Sequence, residues 1–337
     1  MTSLALILGC AGPTLSADEA AFFREAQPWG FILFKRNIES PEQVRALTAA
    51  LRETIGRADA PILIDQEGGR VQRMTRPHWN AYPAGRTYLR AGGPENGPAL
   101  AHLGARLMAH DLASVGINVD CAPVLDVPVP GAHDVIGDRA YGTEPAVVAA
   151  FGRAVAEGLM AGGVLPVMKH VPGHGRAGAD SHHALPVVEA TPGELDAHDF
   201  QPFRALADLP MAMSAHVVFR ALDPDNPATT SATVIREIVR GRIGFDGLLM
   251  TDDLSMNALA GGFRDRAAAA FRAGCDVGLH CNGVRAEMEE VVAAAPSLAG
   301  EALRRAEAAL ARLAPDTASF DPMEARARLD AGLADAA

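Results

Sequence analysis

Aromatic side chains are scarce in this chain: 12 Phe, 3 Tyr and 2 Trp make up 5% of its 337 residues. A core of stacked rings is excluded, and the interior must be filled mostly by Ala, Leu, Val and Ile. Positive charge is also in deficit. Lys and Arg number 30 against 41 Asp and Glu, a formal net charge of −11. No basic face is implied, which argues against nucleic acid or an anionic membrane surface as a partner. Only four cysteines occur, Cys10, Cys121, Cys275 and Cys281, and none form a C-x-x-C pair. Each lies in or beside an apolar stretch, so buried free thiols in a reducing compartment are expected. No apolar run approaches the ~18 residues of a spanning helix. Leu6-Ile7-Leu8-Gly9-Cys10 has a faint look of a lipoprotein cleavage site, but the first basic residue is Arg24 and the apolar run 4–8 is too short for a signal segment. A soluble, cytoplasmic protein is expected.

What is present is a repeated alternation. Short apolar runs at 4–8, 30–34, 61–64, 117–125, 165–168, 210–213, 247–250 and 276–279 read as strands. Stretches of helical periodicity lie between them, at 16–26, 41–55, 100–114, 145–160, 232–240 and 264–272. Ser16 with Glu19 forms a candidate capping box, and Ser40-Pro41 a cap followed by proline at the first helical position. Parallel strands need crossover helices, and eight such units imply closure into an α/β fold with a single (β/α)8 TIM-type barrel. An open doubly wound sheet is the alternative. It predicts G-x-G-x-x-G after the first strand, where this chain has Gly9-Cys10-Ala11-Gly12-Pro13. The segment 92–98 reads as a loop, and 287–313 as one or two exposed helices. One catalytic domain is expected over 1–337, ending in a helical segment from about 284.

In a barrel the chemistry sits at the C-terminal strand ends. Ionisable residues gather there: Asp65-Gln66-Glu67-Gly68-Gly69-Arg70-Val71-Gln72-Arg73, Asp126, Asp138-Arg139, Lys169-His170, His216, Asp252-Asp253 and His280. Four of the eleven histidines fall between 170 and 183. A metal site there lacks ligand spacing such as H-x-H or H-E-x-x-H, and Lys169 beside His170 would repel a cation, so no metal or other cofactor is expected. Asp180 and His182, two apart on an extended loop, would project to one side, where the carboxylate can orient the imidazole for general acid–base work. Asp252 and Asp253 on a strand end point to opposite sides, so one can face a pocket while the other makes structural hydrogen bonds. A carboxylate at a pocket floor can attack an anomeric carbon. Asp65, Arg73, Arg139, Lys169 and His170 would supply directional hydrogen bonds to sugar hydroxyls or an acyl group.

These motifs, with Lys169-His170-Val171-Pro172-Gly173-His174-Gly175, Asp180-Ser181-His182 and Thr251-Asp252-Asp253-Leu254-Ser255-Met256, resemble family 3 glycoside hydrolases. The nearest likeness is to the single-domain bacterial β-N-acetylglucosaminidases (β-hexosaminidases) of peptidoglycan recycling, and it runs in order over about residues 4 to 313. The resemblance implies a retaining, exo-acting β-N-acetylglucosaminidase that frees terminal N-acetylglucosamine from muropeptides through a covalent glycosyl-aspartate. Asp252 would be the nucleophile. His182, assisted by Asp180, would be the acid–base on a mobile loop. Asp65, Arg73, Arg139, Lys169 and His170 would bind the terminal sugar. Tyr141 and Val171 stand where Phe is more usual, and Thr251 where Ser is common. The second α/β domain of many members is not expected here. The expected partner is a small carbohydrate, and the expected state is a monomer. Three rival readings are a phosphorylase of the same family, a metal-dependent amidohydrolase built on His170, His174, His182 and Asp252, and a sugar-binding protein without chemistry.

Overall fold

The computed structural model describes residues 3–181, 185–313 and 320–334. Its frame is a closed barrel of eight parallel strands paired in chain order. They are β1 (Leu4–Gly9), β2 (Pro28–Leu33), β3 (Ile62–Ile64), β4 (Val119–Asp120), β5 (Leu165–Val171), β6 (Met211–Ser214), β7 (Leu248–Asp253) and β8 (Val277–His280). Each falls on one of the eight apolar runs. The barrel closes where β1 meets β8, with Leu6 beside Gly278 and Leu8 beside His280. The run at 117–125 yields only a two-residue strand, because Pro123 follows and proline cannot donate to a ladder.

Strand positions alternate between two apolar clusters, as a period of two requires. Ala5, Ile7, Leu63, Val119, Leu165, Val167, Met211, Met213, Leu248, Met250, Val277 and Leu279 fill the barrel interior. Leu6, Leu8, Phe31, Leu33, Ile62, Ile64, Met168, Ala212 and Leu249 face outward against the helices. Trp29, Leu298, Ala306 and Ala309 join the interior cluster, so helix Gly300–Leu310 lies across the barrel's N-terminal mouth. The opposite mouth is left for chemistry.

The helix caps follow the sequence. α1 (Ala17–Ala26) carries the Ser16–Glu19 capping box, and α2 (Pro41–Ile55) is capped by Ser40 with proline in its first turn. The segment 92–98 is not a loop. It lies within α3 (Gly85–Ala113), where Gly93 alone leaves helical geometry (φ 62°) and the chain resumes as helix at Pro94. Proline's fixed φ suits a first helical turn, so the glycine–proline pair makes a kink instead of a break. The stretch at 287–313 is two helices, Arg285–Ala294 and Gly300–Leu310, which are not simply exposed, since Met288, Val291, Ala306 and Ala309 are buried; a further helix, Pro322–Leu333, packs on α3. No described helix is long and apolar enough to cross a membrane.

Candidate active site

The polar ends of the barrel strands converge on one cavity of about 140 Å³. That is close to the ~150 Å³ that holds a single benzene ring, so the space is of one-ring size. Asp65, Glu67, Arg73, Arg139, Lys169, His170, His174 and Asp252 line its polar side, and Ile32, Phe34, Met213 and Met256 are among its apolar residues.

The segment after β3 is built to bring Arg73 back beside Asp65. Gln66–Gly68 and Val71–Gln72 form an antiparallel hairpin, and Gly68 (φ 92°) and Gly69 (φ 57°) make the left-handed turn that glycine alone adopts without strain. Buried Gln66 clamps the return strand: its Oε1 accepts from the backbone N–H of Arg73 at 2.9 Å and of Met74 at 3.0 Å, and its Nε2 donates to the Met74 carbonyl at 2.9 Å. Asp65 and Glu67, two apart in extended chain, therefore both reach the cavity.

A buried ion network follows. Lys169 Nζ lies 2.9 Å from Asp65 Oδ1 and 2.6 Å from Glu67 Oε1. Arg73 Nη2 donates to Asp65 Oδ2 at 3.1 Å. Arg139 grips Glu67 with two bonds of 2.8 Å, a fork-to-fork pair that fixes both planes. Burial by itself would push both carboxyls up, but the neighbouring cations overcome it. Asp65 is held well below the usual carboxylate range by Lys169 and Arg73, and Glu67 is lowered to about 2 by Arg139 and Lys169. Burial would likewise lower Lys169, and Asp65 and Glu67 instead raise it. The wall is charged, paired and rigid.

Asp126 is buried behind the next part of the rim and holds it in place. Its Oδ2 is 2.6 Å from His170 Nδ1, and its Oδ1 accepts from the backbone N–H of His170 at 3.2 Å and of His174 at 2.6 Å. His174 Nε2 is 3.2 Å from Ser181 Oγ, which ties the loop start to the segment beside Asp180. Burial drives His174 down to about 4, so it is neutral at neutral pH. Gly175 lies against the backbone of Val127, where an added Cβ would come 2.1 Å from the Val127 carbonyl oxygen; only glycine lets the loop pass so close.

At the end of β7 the adjacent carboxylates divide. Asp253 Oδ1 accepts from the backbone N–H of Ser255 (3.0 Å) and Cys281 (3.1 Å), and its Oδ2 accepts from the Ser255 hydroxyl. His216, its pKa lowered by burial, donates Nε2–H to the Asp253 carbonyl at 3.0 Å and locks the strand end. Asp252 and Asp253 both border the cavity, but the Asp253 oxygens are the ones taken up by these structural bonds.

Of the residues singled out in the sequence, Asp65, Arg73, Arg139, Lys169, His170 and Asp252 meet at this one cavity. Asp180 adjoins Ser181, which also lines it. His182 lies outside the described residues. Glu67 and Asp126 were not among the candidates. Glu67 could have been found from its spacing of two from Asp65. Asp126 was visible as a strand-end carboxylate, but its bond to His170, 44 positions away, exists only in the folded chain. Among the described residues no three His, Cys, Asp or Glu side chains are grouped to hold a metal ion. All four cysteines are free and buried; burial pushes Cys10 and Cys275 up to about 12 and raises Cys121 and Cys281 strongly, so none offers a thiolate at neutral pH.

Comparison with known proteins agrees with this geometry. The "Glycosyl hydrolase family 3 N terminal domain" profile matches residues 8–314. A beta-hexosaminidase of Alkalilimnicola ehrlichii is 42% identical over 285 residues, covering 82% of this chain and 80% of its own. A beta-hexosaminidase of Pseudomonas aeruginosa is 41% identical over 292 residues, covering 86% and 85%. The crystal structure of NagZ from Neisseria gonorrhoeae in complex with N-trifluoroacetyl-D-glucosamine superposes with a TM-score of 0.85 at 30% identity, over 100% of this chain and 98% of that one. A closed barrel, a strand-end carboxylate in a one-ring cavity and a family match over nearly the whole length point the same way: the chain belongs to glycosyl hydrolase family 3.

Proposed function

We propose that this protein is a retaining, exo-acting β-N-acetylglucosaminidase, one catalytic domain over its whole length. The observation that carries the reading is the division of labour at the end of β7. Both residues border the cavity, but the Asp253 oxygens are occupied by backbone and hydroxyl donors, so Asp252 is the carboxylate assigned to the sugar. Asp252 attacks the anomeric carbon and forms a glycosyl-aspartate, which water then resolves. Asp65, Arg73, Arg139, Lys169 and His170 hold the terminal N-acetylglucosamine, and Glu67 holds two of those cations in place. His182, oriented by Asp180, protonates the leaving oxygen in the first step and activates water in the second. The relatives' names support the substrate class. A cytoplasmic, monomeric enzyme acting on muropeptides from cell-wall turnover is the fuller form of this proposal.

The test is product stereochemistry. With a 4-nitrophenyl N-acetyl-β-glucosaminide, proton NMR should show the β-anomer of free N-acetylglucosamine first, followed by slow mutarotation. The α-anomer first would overturn the double displacement, and a sugar phosphate formed in phosphate buffer would make the enzyme a phosphorylase. The acid role has its own signature. His182→Ala should cost a natural disaccharide far more than a nitrophenyl substrate, whose aglycone departs with little need of a proton. Equal losses on both substrates would remove His182 as the acid.

A further inference from the structure

Asp126 is a fully buried carboxylate whose two oxygens do different work. Oδ1 takes the backbone N–H groups of His170 and His174, at 3.2 and 2.6 Å. Oδ2 takes the His170 ring at Nδ1, at 2.6 Å. Backbone amides ask only for an oxygen, which a neutral asparagine would provide at a lower cost of burial. The ring asks for more. A carboxylate is acceptor-only, so the atom facing Oδ2 must be Nδ1–H, and the remaining polar edge of this cavity-lining imidazole is Nε2.

We propose that Asp126 is a positioning residue: through Oδ2 it fixes the tautomer and plane of His170 so that Nε2 is offered to the sugar, and through Oδ1 it anchors the loop leading to Asp180. The proposal rests on the reading of His170 as a sugar-binding group. The ionised state it needs is consistent with the site. Burial would raise the Asp126 carboxyl, but the His170 imidazole and the His174 amide bring it down to about 2. With Nδ1–H committed to Asp126, Nε2 is the ring edge left to meet a sugar hydroxyl.

The split between the two oxygens makes the test selective. Asp126→Asn keeps an oxygen for the two amides and turns the Oδ2 position into an N–H donor. That reverses the bond to the ring and moves the imidazole proton to Nε2. On a nitrophenyl N-acetyl-β-glucosaminide the expected result is a KM raised at least about tenfold with a smaller change in kcat, and a Tm within a few degrees of wild type. On a His170→Ala background the same substitution should cost no further loss, because its target is gone. A sensitive His170→Ala with a silent or fully additive Asp126→Asn overturns the positioning role and leaves the site intact. A His170→Ala enzyme that works like wild type removes the sugar contact, and this proposal with it. If Asp126→Asn fails to fold, wild-type protein still decides. Imidazole ¹⁵N shifts should place the His170 proton on Nδ1, and a proton found on Nε2 instead would refute the proposal.

Discussion

Asp252→Ala is expected to reduce kcat/KM by at least about 10⁴-fold, or more than about 5 kcal/mol of transition-state stabilisation, while leaving the fold intact. The asymmetry of the β7 end is the reason. Adjacent residues on a strand project to opposite sides, and here Asp253, although it also borders the cavity, has its carboxylate held in a hydrogen-bonded corner. Asp253 is held by Ser255 and Cys281, so its removal should lower stability before it lowers chemistry. Asp252 is the carboxylate turned to the sugar, so its removal should leave the melting temperature within a few degrees and abolish covalent catalysis. A 2-fluoro or 5-fluoro sugar with a good leaving group should label wild-type enzyme, and peptide mapping should place the adduct on Asp252. An adduct on Asp253, or an alanine variant that keeps its rate, would refute the assignment.

The eight barrel strands were readable from the sequence because a parallel sheet covered on both faces leaves a run of apolar residues for each strand. The polar residue after each run then marked the mouth of the barrel. Two things were less readable. The helix Pro322–Leu333 presents only Ala325 and Leu329 as buried residues, too sparse a stripe to stand out against an alanine-rich background. The kink at Gly93 reads as a loop in a one-dimensional pattern, since three glycines and two prolines within seven residues are ordinary turn signals; packing of the helix against α4 (Pro145–Ala161), which no one-dimensional pattern shows, keeps the segment helical. The active site divides along the same line. Asp65, Arg73, Lys169, His170 and Asp252 sit at strand ends or one hairpin beyond, where position in the pattern reports position in space. Glu67 and Asp126 act through partners 72 and 44 residues away, and such pairings are a product of barrel closure.

Glu67→Ala is the substitution expected to cost most in stability. Its carboxylate is the shared partner of Arg139 and Lys169, whose side chains are 11% and 3% exposed. Removing one member of a buried pair leaves charge without compensation, which costs about 3–5 kcal/mol and would lower Tm by on the order of 5 to 10 °C. The loss should depend on pH in a defined sense. Glu67 has a folded-state pKa lowered to about 2 from an ordinary 4.5. A depressed carboxyl pKa contributes stability that is complete above the unfolded value and vanishes as pH falls through the folded one, here about 3 kcal/mol between pH 4.5 and 2. The stability gap between wild type and Glu67→Ala, measured by urea unfolding, should therefore be widest near neutrality and narrow as the pH is lowered from 5 towards 2. A gap that stays constant over that range would mean that Glu67 acts by filling space and not by charge. Activity should fall with the same substitution, because Arg139 loses the fork that fixes its plane and Lys169 one of its two anchors. Glu67→Gln separates the two effects: it restores the shape and one acceptor oxygen without the charge, so it should recover packing while leaving the acid dependence as flat as in the alanine variant.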